Sequence, residues 1–233
     1  ANPSARKRIL DGNLLFGCFI NTAAPFSTMI AAQVGFDVVL LDHEHGPGDF
    51  HDARHCMDAA MGTGAEVWVR VPANEQAYLK RILDCGADGI MCPLVNTADE
   101  ARDLVRFCQY PPAGVRGVAP GLGRHTAYGT RRDEYMSRVT EDLTIMAQIE
   151  SVEGVENIDA IAAVEGIDII FVGPFDLSAS LGHMGKFDHP DVVAAIGKIE
   201  AAATKAGKRL ATLATPGRDP ASLRERGYGL ILS

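Results

Sequence analysis

At 233 residues, with 47% hydrophobic and 22% charged residues, the chain has an ordinary globular composition and the length of one large α/β domain. A formal net charge of -8 argues against a nucleic-acid partner, because phosphate backbones demand a basic face, and no apolar run is long enough to cross a bilayer. The five cysteines, Cys18, Cys56, Cys85, Cys92 and Cys108, form no CxxC pair and lie mostly in apolar segments, which points to free thiols in a reducing, cytoplasmic setting.

The N-terminal residues Arg6, Lys7 and Arg8 are basic, but the apolar stretch after them is broken by Asp11, Gly12 and Asn13, so no signal peptide is expected. Eight short apolar runs then follow in order, at 14–20, 38–42, 67–71, 89–95, 144–150, 169–174, 210–214 and 229–233. Between them, helical spacing falls around 25–34, 51–61, 75–85, 97–108, 152–164, 190–206 and 218–226. Eight strands alternating with helices predict a closed (β/α)8 TIM barrel, one domain over residues 1–233, more than an open doubly wound sheet. The connection after the fourth strand, YPPAGVRGVAPGLGRHTAYGTRRDEY, is long for a βα loop and is expected to cover the site. The sequence ends at Ser233 directly after the eighth strand, so the eighth helix is expected to be absent from the chain or exchanged with a neighbouring subunit.

In such barrels the catalytic groups gather at the carboxyl ends of the strands. The second strand runs apolar from Val38 to Leu41 and ends in Asp42, His43, Glu44 and His45 before Gly46 and Pro47 break it. The third ends in Arg70, the fifth in Gln148 and Glu150, and the sixth leads through Gly173, Pro174 and Phe175 to Asp176. Gln148 and Glu150 share one face of their strand and can both point inward. Adjacent strands lie roughly 4.8 Å apart, which brings Glu150 and Asp176 close enough to share a hard divalent cation such as Mg²⁺ or Mn²⁺. The plainer alternative pairs Glu150 with an arginine and makes Asp176 a cap of the segment beginning LSAS.

Arg70, in a strand otherwise of Val and Trp, needs a partner for its charge, as a buried ion pair or as an electrophile over a developing oxyanion. His45 is the candidate base, with Asp42 three residues earlier to orient it; Glu44 is uncertain and His43 has no role. His51, His55, His125, His183 and His189 are expected at the surface or in loops. No lysine falls on an inner strand face, which argues against imine catalysis. No P-loop or nucleophile elbow is present.

The ordered motifs LDHEHGP, VRVP, LLDCGADGIMCPLVNTADEA, YPPAGVRGV, QIES and GPFDLSASLG resemble the HpcH/HpaI aldolase family, metal-dependent class II pyruvate aldolases that include 4-hydroxy-2-oxoheptanedioate aldolase. The resemblance covers the chain from about residue 12 onward. It implies that Glu150 and Asp176 bind Mg²⁺, Mn²⁺ or Co²⁺, and that Gln148 with the backbone of Gly173 and Phe175 holds a pyruvyl unit. It also makes His45 the base beside Asp42, gives Arg70 the enolate, and assigns Asp84 to support of the histidine across a subunit interface. A homohexamer, built as a trimer of dimers, with exchanged eighth helices is implied as well. His43 and Phe175 depart from the residues common in the family, and Phe175 together with Leu213 is expected to shape the aldehyde side of the pocket.

The expected activity is reversible cleavage of a 4-hydroxy-2-oxo acid to pyruvate, or hydroxypyruvate, and an aldehyde through a metal-bound enolate. The alternatives are an acyl-CoA lyase of the citrate lyase β type, which would need a CoA site, and a metallohydrolase using the His43-Glu44-His45 pattern, which would want further histidines at later strand ends. A non-catalytic oxo-acid carrier is the third.

Overall fold

In the computed structural model, which describes residues 3–215 and 219–233, eight parallel strands close into a barrel in sequence order. They are β1 (Leu15–Ile20), β2 (Val38–Asp42), β3 (Glu66–Arg70), β4 (Gly89–Cys92), β5 (Thr144–Ile149), β6 (Ile169–Val172), β7 (Arg209–Leu213) and β8 (Tyr228–Leu232), with β1 pairing back on β8. All seven expected helices are present. They are α2 (Pro25–Gln33), α3 (Phe50–Ala59), α4 (Gln76–Cys85), α5 (Ala98–Cys108), the pair α7 (Val152–Glu156) and α8 (Ile158–Ala162), α10 (Pro190–Lys205), and α11 (Pro220–Glu225). The expected single helix over 152–164 breaks at Asn157, and the expected start at 218 lies outside the described residues. Three helices were not foreseen: α1 (Ala5–Leu10), α6 (Arg132–Asp142) and α9 (Pro174–Ser180). β8 reaches Leu232, one residue short of the last in the sequence.

Local sequence sets the element ends. Asp49 and Asp52 form a capping box that starts α3, as Thr97 and Glu100 do for α5. Gly86, in the left-handed region at φ 104°, stops α4. Strands β2, β4 and β5 are buried on both faces, which is why they read as unbroken apolar runs.

Two apolar layers result. Inside the barrel lie Leu15, Val38, Leu40, Trp68, Met91, Met146, Ile169, Phe171, Ala211, Leu230 and Leu232, and α1 adds Ala5 and Ile9 to this cluster. The outward residues of the same strands pack beneath the helices. Trp68 is wholly buried at the barrel centre, with its indole N–H donating to Glu66 Oε2 at 2.8 Å. Gly89 on the neighbouring strand makes room, since a Cβ there would come within 2.7 Å of the indole ring. Trp68→Ala is therefore expected to cost about 3–5 kcal/mol through the cavity it leaves, measured as a lower urea midpoint with unchanged slope.

The long segment 110–135 corrects its expected place. It follows α5, so it leads back to β5 instead of rising from β4, and its contacts run along α4 and the end of α3. Gln76 Nε2 donates to Val115 O at 3.3 Å, Arg116 pairs with Asp84 at 2.9 Å, and Arg124 Nε donates to Asp58 Oδ1 at 2.7 Å. None of its residues lines the cavity at the strand ends. The intervening helix decides this, because it carries the chain to the opposite end of the barrel before the Gly- and Pro-rich stretch begins.

Candidate active site

At the carboxyl ends of the strands, His45, Arg70, Gln148, Phe171, Gly173, Pro174, Phe175, Asp176 and Leu213 line a cavity of about 230 Å³. This lies below the roughly 300 Å³ at which pockets for drug-sized ligands begin, and it suits a small acid. Seven of the ten site residues predicted from sequence fall on this wall; Asp42 and Glu150 stand directly behind it, and Asp84 is elsewhere, with Glu44 and Asn21 added by the fold.

The β2–β3 register sets the positive side of the site, with Asp42 and Arg70 as direct partners across the ladder. Alternation turns both inward, in line with Leu40 and Trp68. The Arg70 guanidinium grips Asp42 with both oxygens, Nε to Oδ1 at 2.8 Å and Nη2 to Oδ2 at 2.7 Å. Asp42 Oδ2 also accepts from Asn21 Nδ2 at 2.5 Å, and Oδ1 from the backbone N–H of Glu44 and His45 at 3.2 and 3.3 Å. Burial alone would raise the Asp42 carboxyl, but Arg70 and these backbone donors hold it below its ordinary value. Arg70 is thus a fixed, clamped cation, and the ring of Phe19 lies 4.8 Å from it.

Asp42 therefore orients Arg70 and the backbone of His45, not the imidazole, which corrects the expected Asp–His pair. Both of its oxygens are already committed to the guanidinium. The imidazole instead has Glu44 near it, His45 Nε2 lying 3.7 Å from Glu44 Oε2, and the ring is largely exposed at the mouth. Glu44, left uncertain by the sequence, turns into the site with Oε2 3.1 Å from Arg70 Nη1. Burial raises its carboxyl above the ordinary value despite Arg70, with Asp42 and Asp176 adding to the rise. His43 points the other way: it is buried, and its Nδ1 lies 2.6 Å from the Tyr78 hydroxyl on α4. Asn21 is the polar residue directly after β1, and asking what ends every strand would have found it.

The negative side comes from β5 and β6. Gln148 pairs with Phe171 and Ile149 with Val172 across this ladder, so the next step along β5, Glu150, stands beside Gly173. A side chain at 173 would put its Cβ 2.9 Å from Glu150 Oε2, so only glycine permits this approach. Glu150 is 3% exposed, its Oε1 accepts from Leu94 N–H at 2.9 Å, and Oε2 accepts from Gln148 Nε2. Desolvation pushes its carboxyl up to about 7, reinforced by Glu44 and Asp176. Asp176 sits exposed in the first turn of α9. The Phe175 N–H belongs to the same turn, whose donors have no intrahelical acceptor.

This side has the chemistry of a hard cation site. The charges of Glu44 and Asp176 raise the proton affinity of Glu150, and that of Asp176 raises Glu44, and Gln148 Oε1 is buried with no hydrogen-bond partner among the described residues. Oxygen donors crowded this way fit Mg²⁺ or Mn²⁺. The plainer alternative for Glu150 finds no support, since its hydrogen-bond partners among the described residues are an amide and a backbone N–H.

Asp84 lies at the far end of α4, where Arg116 Nη2 reaches its Oδ1 at 2.9 Å and His125 Nδ1 lies 3.1 Å from its carbonyl oxygen. Within one chain it does not meet His45. His125, expected at the surface or in a loop, lies in the connecting segment with its side chain only 1% exposed against this aspartate.

The sequence profile of the HpcH/HpaI aldolase/citrate lyase family matches residues 15–231. A hydroxypyruvate/pyruvate aldolase of Roseobacter denitrificans is 40% identical over 210 residues, 90% of this chain and 82% of that protein. A 5-keto-4-deoxy-D-glucarate aldolase of Shigella boydii is 42% identical over 215 residues, covering 92% of this chain and 83% of its own. The solved structure of an HpcH/HpaI aldolase/citrate lyase family protein from Burkholderia cenocepacia superposes with a TM-score of 0.91 at 37% identity, over 97% of this chain and 90% of that one.

Proposed function

The chain belongs to the HpcH/HpaI aldolase/citrate lyase family and is an aldolase, and we propose that it reversibly cleaves 4-hydroxy-2-oxo acids to pyruvate, or hydroxypyruvate, and an aldehyde. The observation that carries this reading is the placing, around one small cavity, of a clamped arginine and a set of carboxylates centred on the buried Glu150. Glu150 and Asp176 would hold a divalent cation, Mg²⁺, Mn²⁺ or Co²⁺, which when bound supplies Lewis-acid withdrawal of charge from the keto oxygen.

The chain's own residues do the rest. Gln148 and the first-turn N–H of Phe175 position the oxo-acid end. His45 takes the proton from the C4 hydroxyl as the C3–C4 bond breaks; the bonding pair passes into the C2–C3 enolate, the aldehyde leaves, and a proton added at C3 completes pyruvate. Arg70 faces the negative charge that develops on the enolate oxygen. Phe175 and Leu213 border the space left for the aldehyde.

Full pyruvate release from a 4-hydroxy-2-oxo acid by dialysed enzyme in excess EDTA would overturn the metal-assisted reading; loss of release, restored by Mg²⁺ or Mn²⁺, is the expected result. Because Glu150 holds its proton up to about 7, acid competes with the cation. Apparent cation affinity is expected to weaken by up to about tenfold per pH unit below that point, as read by calorimetric titration between pH 5 and pH 8.

The assignment of Asp84 requires a second copy of the chain, so the reading includes a homo-oligomer, a hexamer of three dimers. An exposed apolar stripe on α2 and its C-terminal cap, Phe26, Ile30 and Val34 at 68, 45 and 69% exposure, supports such association. No helix among the described residues is long and apolar enough to cross a membrane.

A further inference from the structure

The sequence GHMGKFDHPD, residues 182–191, joins α9 to α10 and carries two of the histidines first read as loop residues. The loop is held by its own backbone. Ser178 O accepts from His183 N–H at 2.7 Å, His183 O from Lys186 N–H at 2.8 Å, and Lys186 O from His189 N–H at 3.1 Å. Gly182 and Gly185 take positive φ values of 79° and 74°, which free the two turns this requires. The result folds His183 onto His189, whose rings stack at 3.4 Å and 18°.

Both rings address one carboxylate. His183 Nε2 lies 2.9 Å from Asp191 Oδ2, and His189 Nδ1 lies 3.7 Å from the same oxygen. Among the described residues, these three form the one group of three or more His, Cys, Asp or Glu whose ligand atoms all lie within 4.8 Å of one another. A tetrahedral ion bound at about 2.0–2.1 Å holds its ligands a little over 3 Å apart, so the spacing needs only small adjustment. His189 Nδ1 now accepts a long bond, 3.3 Å, from the Asp191 N–H at the start of α10, a donor that water can satisfy once the ring is recruited.

The set differs from the carboxylate site in kind. Two imidazoles and one carboxylate select borderline transition ions over Mg²⁺. Phe187 lies within the loop and packs edge-on against Phe175 at the cavity wall, ring centroids 4.8 Å apart. We propose that His183, His189 and Asp191 form a second divalent-metal site, of the Zn²⁺ class, that fixes the loop carrying Phe187 against Phe175.

The test counts bound Zn²⁺ by equilibrium dialysis of a Glu150→Ala, His55→Ala background. That background removes both the carboxylate pair and the exposed His51–His55 pair, whose rings lie 4.6 Å apart on α3. About one Zn²⁺ per chain is expected, and His183→Ala, His189→Ala or Asp191→Asn should each weaken it by more than the roughly 10–100-fold that outer-shell changes cost. In the wild type, Zn²⁺ should slow amide exchange over 182–191, and this slowing should vanish in His183→Ala. A background that binds no Zn²⁺, or binding untouched by His183→Ala, overturns the site; binding without slower exchange overturns its hold on the loop. None of these readouts depends on aldolase activity.

Discussion

Glu150→Ala is expected to abolish divalent-cation binding at the barrel mouth and to lower kcat for pyruvate release by about 10²–10⁴-fold, the equivalent of the several kcal/mol a bound cation contributes to charge stabilisation. The same change should leave the cation-free fold intact or slightly firmer. Glu150 is a buried carboxyl whose ionised form is opposed by desolvation and by Glu44 and Asp176, and removing an ill-solvated charge is neutral or favourable. Glu150→Gln separates charge from shape: it still offers an acceptor to the Leu94 N–H but cannot neutralise a cation. Calorimetric titration with Mn²⁺, pyruvate release and urea unfolding on the three proteins check this. Unaltered Mn²⁺ affinity in Glu150→Gln would remove this residue from the metal set.

Arg70→Ala is expected to cost about 10²–10³-fold in kcat, the usual loss when a group facing a developing oxyanion is removed. It also strips Asp42 of its partner, and a buried charge left alone costs about 3–5 kcal/mol of stability. The two effects part company in Arg70→Lys, which keeps a positive charge but cannot make the two-point grip on Asp42. That variant should regain stability more than kcat. The pH dependence gives an independent signature. Asp42 is held below its ordinary value in the folded protein, so it contributes stability that is present above the usual carboxylate range and lost as pH falls through its folded value. Arg70→Ala should flatten this acid limb in unfolding curves taken between pH 2 and pH 6. An unchanged limb would mean that some other group anchors Asp42.

Much of the site was legible because it follows chain geometry. Period-two alternation on β5 turns Gln148 and Glu150 to one face wherever the strand lies. A polar residue ending each of several strands is likewise visible in one dimension. The role of Asp42 was misread because the local argument saw only His45, three residues away. The stronger partner is Arg70, 28 residues on and directly across the ladder.

The sequence by itself determined the βα alternation, the closed barrel it implies, the family, and the strand ends where ionisable groups collect. All of these rest on local periodicity and on motifs that stay together along the chain. The tertiary structure alone decided which charges meet: Arg70 with Asp42 and Glu44, Arg116 with Asp84, and His183 with His189 and Asp191. It also laid the segment 110–135 along α4 and the end of α3, outside the cavity, and raised Glu150 through burial near other carboxylates. Partner choice and desolvation depend on register, helix placement and depth, which are properties of the packed chain and not of any stretch of it.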